Sequence, residues 1–330
     1  MQAMVLEQFG KPQVLKTIER PVPGAGQVLV RIIASGVNPL DLKIKEGKAA
    51  HAEIRPPAVL GIDLAGIVES VAEGVTSFKA GDEVYGMTGG VGTLQGSLAE
   101  YAAVNVELLA HKPANLSFRE AAALPLIFIT AWEALVDKAA VGPGQKVLVH
   151  GGAGGVGHIA VQIALARGAT VFATGGPEAA ELIRGYGATP IDYTQLQPED
   201  YLKAFTADEG FDVILDTIGG TVLDNSFKMA RRYTGHVVSI LGWGTHSLAP
   251  LSFRGGTYSG VFTLYPLLTG INQAHHGMVL QEATKLIGAG KVVPLVDPAT
   301  YRLDEIQQAY GALAQRTSKG KVVIEISPAI

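Results

Sequence analysis

The chain is 330 residues long with a net charge of −4, and at 48% hydrophobic and 17% charged it has ample material for packed cores and none for long disordered tails. No Lys/Arg cluster marks a nucleic-acid footprint, and no apolar run approaches the roughly 20 residues that span a bilayer. Cys is absent, which excludes disulfides, thiolate metal sites and cysteine nucleophiles.

The length exceeds what one core supports, so two domains are expected. The N-terminal MQAMVLEQFG reads as a strand rather than a signal peptide, and with the missing Cys it points to a reducing, cytoplasmic location. From Gln2 to about His111, short β-rich runs (Val28–Ala34, Gly66–Val71, Glu83–Tyr85, Leu98–Val104) alternate with Gly, Pro and Asn turns, an all-β pattern. Ser117-x-x-Glu120 has the form of a capping box and opens a helical pattern to about Lys138.

Between Lys146 and Tyr265, apolar β-rich runs alternate with helical patterns, the signature of βαβ units around a parallel sheet. Runs such as Val213–Leu215 and Val237–Leu241 show little alternation, as strands covered on both faces do. Thr257–Tyr265 reads as an apolar edge strand, which invites pairing with a second copy and predicts a homodimer. Helical patterns at His276–Gly288 and Leu303–Gln315 and a strand at Lys321–Ile326 close the chain and are expected to complete the first domain.

Gly152-Ala153-Gly154-Gly155-Val156-Gly157 satisfies G-x-G-x-x-G between a predicted strand and a predicted helix. The first Gly permits a tight turn, the second lets backbone reach a pyrophosphate, and the third allows close helix–strand packing. Uncapped N–H groups and the helix dipole then favour the anion; the alternative is a Gly-rich turn with no ligand. The next strand ends Ala173-Thr174-Gly175-Gly176, without the acid that usually binds a ribose 2′-OH, which favours NADP over NAD.

Five separated motifs now combine: Ser35-Gly36-Val37-Asn38-Pro39-Leu40-Asp41, Val59-Leu60-Gly61-Ile62-Asp63-Leu64-Ala65-Gly66, Gly81-Asp82-Glu83-Val84-Tyr85-Gly86, Thr130-Ala131-Trp132-Glu133-Ala134-Leu135, and the glycine loop with Gln162. Together they resemble the zinc-lacking quinone oxidoreductase branch of the medium-chain dehydrogenases/reductases, over essentially the whole chain. The resemblance implies an α/β protein: a GroES-like β-rich catalytic domain over 1–123, a Rossmann doubly wound parallel sheet over 124–265, and a return segment, 266–330, completing the first domain. Zinc-containing relatives have Cys where Asn38 stands and His-Glu where this chain has Ile62-Asp63, so no metal site is expected. The eight His include the pair His275-His276, whose side chains would point about 100° apart on a helix and are read as solvated.

The implied activity is NADPH-dependent hydride transfer to a quinone or an α,β-unsaturated carbonyl. By resemblance, Asn38 and Thr130 line the nicotinamide pocket, where an amide or hydroxyl can donate a hydrogen bond to an acceptor oxygen as negative charge builds there. Read alone, Asn38 is a turn residue before Pro39 and Thr130 a helix residue bonded to its own backbone. Ala153, Gly154, Gly155 and Val156 are implied at the pyrophosphate, and Thr174, Gly175 and Tyr193 around the adenosine ribose. Ile218, Leu241, Gly242, Trp243, Phe262 and Thr263 would follow the nicotinamide half, with Lys319 reaching the phosphates. Asp41 and Asp63 are read as carboxylates that hold loops through backbone N–H groups. Two other functions stay open: an enoyl-thioester reductase, for which the expected Tyr between Asn38 and Pro57 is missing, and a weakly catalytic NADPH-binding sensor or interaction protein.

Overall fold

The computed structural model describes residues 1–328, and it divides into two compact units, 1–126 with the return segment from 264, and 127–263. The changes of unit lie at 126/127 and 263/264, where sequence reading placed them at 123/124 and 265/266.

The first unit is built on strand Gln27–Gly36, whose run VLVRIIASG is buried almost throughout and which is paired along both edges. It pairs antiparallel with Asp63–Val71, with Tyr101–Asn105 and, through the return segment, with Val323–Glu325. The wider sheet adds Glu83–Met87, Leu109–His111 and Tyr301–Arg302, and a separate three-stranded sheet joins Val14–Thr17, Gln2–Leu6 and Ala58–Val59. At the end of the central strand, a Cβ on Gly36 would lie 2.2 Å from the Ala122 carbonyl and 3.1 Å from Asp63 Cβ. Only Gly lets helix Phe118–Ala122 close over the strand at that point.

That helix begins as expected: Ser117 N–H donates to Glu120 at 2.8 Å and Glu120 N–H to Ser117 Oγ at 3.3 Å. The single helix read to Lys138 is instead three pieces, Phe118–Ala122, Pro125–Trp132 and a π-helical Glu133–Lys138. Pro125 has no N–H to continue the ladder, so the helix restarts there. In the long helix Gln273–Gly288, His276 is fully buried, contrary to its reading as solvated; the helix packs on Leu109–His111, and His276 lies on the covered face.

The second unit is a parallel sheet of six strands. In chain order these are Lys146–Val149, Thr170–Gly175, Thr189–Asp192, Val213–Asp216, His236–Ser239 and Thr257–Gly260, arranged third, second, first, fourth, fifth, sixth. The order reverses beside the first strand, the switch point at which doubly wound sheets bind ligands. Ile214, Phe211, Phe227, Phe172 and Val237 form the core of one half. The expected last strand, Thr257–Tyr265, stops at Gly260, since Tyr265 opens the short helix Tyr265–Thr269 with Pro266 in its first turn. Among the described residues no helix is long and apolar enough to cross a membrane.

Candidate active site

At the carboxyl end of strand Lys146–Val149 the chain turns through His150–Gly154 into helix Gly155–Ala166. The left-handed residue of this turn is Gly151 (φ 72°), one position before the Gly that sequence reading gave that role. Gly152 is required for packing instead, since its Cβ would sit 2.5 Å from Ala173 Cβ. Gly157 does serve close packing: a Cβ there would meet the Gly151 carbonyl at 2.0 Å. Gly154 is the N-cap and offers no side chain, so the first-turn N–H groups are left uncapped beside exposed Gly154 and Gly155 and half-buried Ala153 and Val156. A bare, uncapped helix start at a sheet switch point suits a pyrophosphate.

The other expected cofactor residues of this unit gather at the same carboxyl-terminal edge of the sheet. Thr174 is buried beneath the loop, its hydroxyl accepting Gly151 N–H at 3.0 Å. Gly175 ends the second strand, and its carbonyl accepts the N–H of Tyr193, whose ring is exposed. Ile218 approaches Gly151, and Leu241 lies against Gly219. Trp243 and Phe262 are exposed, and Thr263 and Thr130 are buried. Glu178 folds back toward the second strand, its carboxylate 2.5 Å from where a Cβ on Gly176 would lie.

Sequence reading missed the groups that hold this edge in shape. Asp216, fully buried, accepts N–H from Ile218 (3.0 Å) and Gly219 (2.9 Å) and O–H from Ser239 (2.7 Å). Its signal was an acid ending the apolar run VILD. His150 is buried beside it, and burial lowers its pKa to about 4, so its ring is neutral under the loop.

Asn38 belongs to the first unit and is the N-cap of helix Pro39–Lys45. Its backbone N–H donates to Asp41 Oδ2 at 2.7 Å, which closes the first turn of the helix. Asn38 Nδ2 donates to Asp63 Oδ2 at 2.9 Å, and Asn38 Oδ1 accepts from Lys321 Nζ. Asp63 Oδ1 accepts the Leu126 N–H at 2.8 Å, so both carboxylates hold loops through backbone N–H groups, as read. Burial raises the pKa of Asp41 to about 7 and that of Asp63 above its ordinary range, and it lowers that of Lys321. Lys319 is exposed, and its backbone N–H donates to Asp297 Oδ2 at 2.5 Å. A cavity of about 940 Å³ in this unit is lined by Ile44 of the same helix together with Phe9, Arg55, Thr93, Leu267 and Leu268. Among the described residues no three His, Asp or Glu gather where they could hold a metal.

Residues 24–114 match the alcohol dehydrogenase GroES-like domain and residues 186–324 the zinc-binding dehydrogenase family. A quinone oxidoreductase of Sus scrofa is 32% identical over 98% of this chain and 97% of its own. The chain is a medium-chain dehydrogenase/reductase. It belongs to the zinc-lacking, quinone oxidoreductase-like branch of that superfamily. A chloroplastic NADPH-dependent alkenal/one oxidoreductase of Arabidopsis thaliana is 36% identical over 98% of this chain and 79% of its own. The crystal structure of an alcohol dehydrogenase superfamily protein from Novosphingobium aromaticivorans superposes with a TM-score of 0.97 at 55% identity, covering 99% of this medium-chain reductase and all of that chain.

Proposed function

We propose that this medium-chain reductase is a zinc-independent, NADPH-dependent oxidoreductase acting on quinones or α,β-unsaturated carbonyls. The observation that carries the reading is the bare, uncapped helix start at the sheet's switch point, in a chain whose relatives are named for those two acceptor classes. When bound, the nicotinamide dinucleotide supplies hydride.

The protein's own residues do the rest. Ala153, Gly154, Gly155 and Val156 offer backbone to the pyrophosphate, Thr174 supports that loop from below, and Gly175 and Tyr193 flank the adenosine ribose. Ile218, Leu241, Gly242, Trp243, Phe262 and Thr263 border the nicotinamide half, and Lys319 meets the phosphates. Asn38, with Thr130, donates a hydrogen bond to the acceptor oxygen as charge develops there. Water delivers the proton that completes the reduced product.

NADPH is preferred over NADH because the second strand ends without an acid and because the Arabidopsis relative is named for NADPH. Glu178 beside Gly176 opposes that preference, since its charge would repel a 2′-phosphate. The exposed edge strand Thr257–Gly260 supports a homodimer, and the Cys-free composition supports a cytoplasmic location.

The test is a titration of NADPH against NADH, followed by stopped-flow mixing of the loaded enzyme with a panel of quinones and enones. Oxidation of NADPH by members of either class is expected, and no oxidation by any would sink the proposal. Faster turnover of a crotonyl-type thioester than of any quinone or enone would shift the assignment to an enoyl-thioester reductase. Tight NADPH binding without turnover would favour a sensor.

A further inference from the structure

Lys321 lies in none of the five sequence motifs, yet it is 7% exposed and fully engaged. Its ammonium donates to Asn38 Oδ1 and, at 3.0 Å, to the Val37 carbonyl, and it stands 3.7 Å from Asp63 Oδ2. The return segment puts it there: Lys321 N–H donates to the Leu295 carbonyl at 2.8 Å, and the Val322 carbonyl accepts Val37 N–H at 2.9 Å.

An Asn side chain can be turned about its last torsion so that oxygen and nitrogen exchange places. Here the exchange is forbidden by charge. Turning the Asn38 amide over would set NH₂ against the ammonium of Lys321 and oxygen against the carboxylate of Asp63. In the observed orientation the cation pulls electron density toward Oδ1 while the carboxylate accepts one N–H from Nδ2. The pull of the cation on Oδ1 makes Nδ2 a stronger donor, while the carboxylate, by holding one of its N–H groups, fixes which way the amide faces.

We infer that Lys321 is a positioning residue of the hydride-transfer site: with Asp63 it fixes the orientation of the Asn38 amide and polarises it as a donor to the acceptor oxygen. The inference rests on the reading above that Asn38 is that donor. Asp41 faces the same cluster, and burial raises its pKa to about 7, which lessens the negative charge the cluster sets against a developing oxyanion.

The experiment is single-turnover oxidation of NADPH by methyl vinyl ketone and by para-benzoquinone, with NADPH affinity measured separately by fluorescence. The proteins are wild type, Asn38→Ala, Lys321→Met and the Asn38→Ala/Lys321→Met double variant. Removing a donor of this kind costs about 100-fold in rate, so that loss is expected for Asn38→Ala and about tenfold or more for Lys321→Met, with NADPH affinity unchanged. The double variant should be no slower than Asn38→Ala alone, because Lys321 acts only through that amide. Slowing by Lys321→Met that multiplies the Asn38→Ala loss overturns the inference and leaves the donor reading standing. An Asn38→Ala enzyme at the wild-type rate overturns the donor reading itself. Should Lys321→Met leave Asp63 unpaired and the protein unfolded, Lys321→Met/Asp63→Asn removes both charges, and a wild-type rate in that variant also overturns the inference.

Discussion

Asp41 is a buried carboxyl group whose one engaged oxygen accepts the Asn38 N–H, and burial is the chief reason its pKa rises from 3.8 to about 7. The fold therefore binds this proton more tightly than the unfolded chain does. Its stabilising effect is complete below pH 3.8 and is lost as pH climbs toward 7, by up to ~4 kcal/mol for a shift of this size. Urea unfolding of wild type should show stability declining over that interval once other groups are accounted for, and Asp41→Asn should flatten the decline. An unchanged slope in the variant would show that Asp41 titrates normally. At this scale Asn38 was legible as a turn residue before Pro39 and Asp41 as a carboxylate that holds a loop through a backbone N–H, while the helix Pro39–Lys45 that Asn38 opens was not. The partners of the Asn38 side chain were not, because Asp63 and Lys321 come from distant strands and local sequence says nothing of which buried charges will meet.

Among the elements, the segment after strand His236–Ser239 carries Leu241, Gly242 and Trp243 and is tied down by His246. His246 Nδ1 lies 2.8 Å from Asp224 Oδ1, and Nε2 lies 3.3 Å from the Trp243 carbonyl. Both partners accept, so a ring protonated on both nitrogens satisfies both contacts. Asp224 accordingly raises its pKa, with the Phe227 ring edge-on at 6.5 Å. As pH rises through that raised value, one N–H is lost and the hold on Trp243 loosens. In a Trp132→Phe background, which leaves Trp243 as the sole indole, its emission should titrate with pH, and NADPH affinity should fall several-fold over the same interval. His246→Gln should abolish the titration; a variant that still titrates would place the proton elsewhere. The alternation of strand and helix in this unit was readable from the order of apolar runs and helical patterns, and the glycine loop from its spacing between them. The conformations within the loop were not: the left-handed residue fell at Gly151, one position before the first Gly of the motif.

For the molecule as a whole, among the described residues the outer strand Thr257–Gly260 pairs on one side alone, with His236–Ser239. Thr257 and Val261 donate inward, to the carbonyls of Gly235 and Ser239, so Tyr258 and Gly260 present their N–H groups outward. Gly260→Pro removes one outward donor at a site where a side chain meets nothing closer than 3.9 Å. Sedimentation should show wild type near twice the 34.5 kDa chain mass and the variant shifted toward monomer; a monomeric wild type would end the dimer proposal. The return segment from 264 has a consequence of another kind. A nascent chain halted before Lys321 already contains the whole parallel sheet and its glycine loop, but not the ammonium that sets the Asn38 amide. Under the proposed function, the residues that would hold the cofactor's pyrophosphate thus precede along the chain the one that would set the donor.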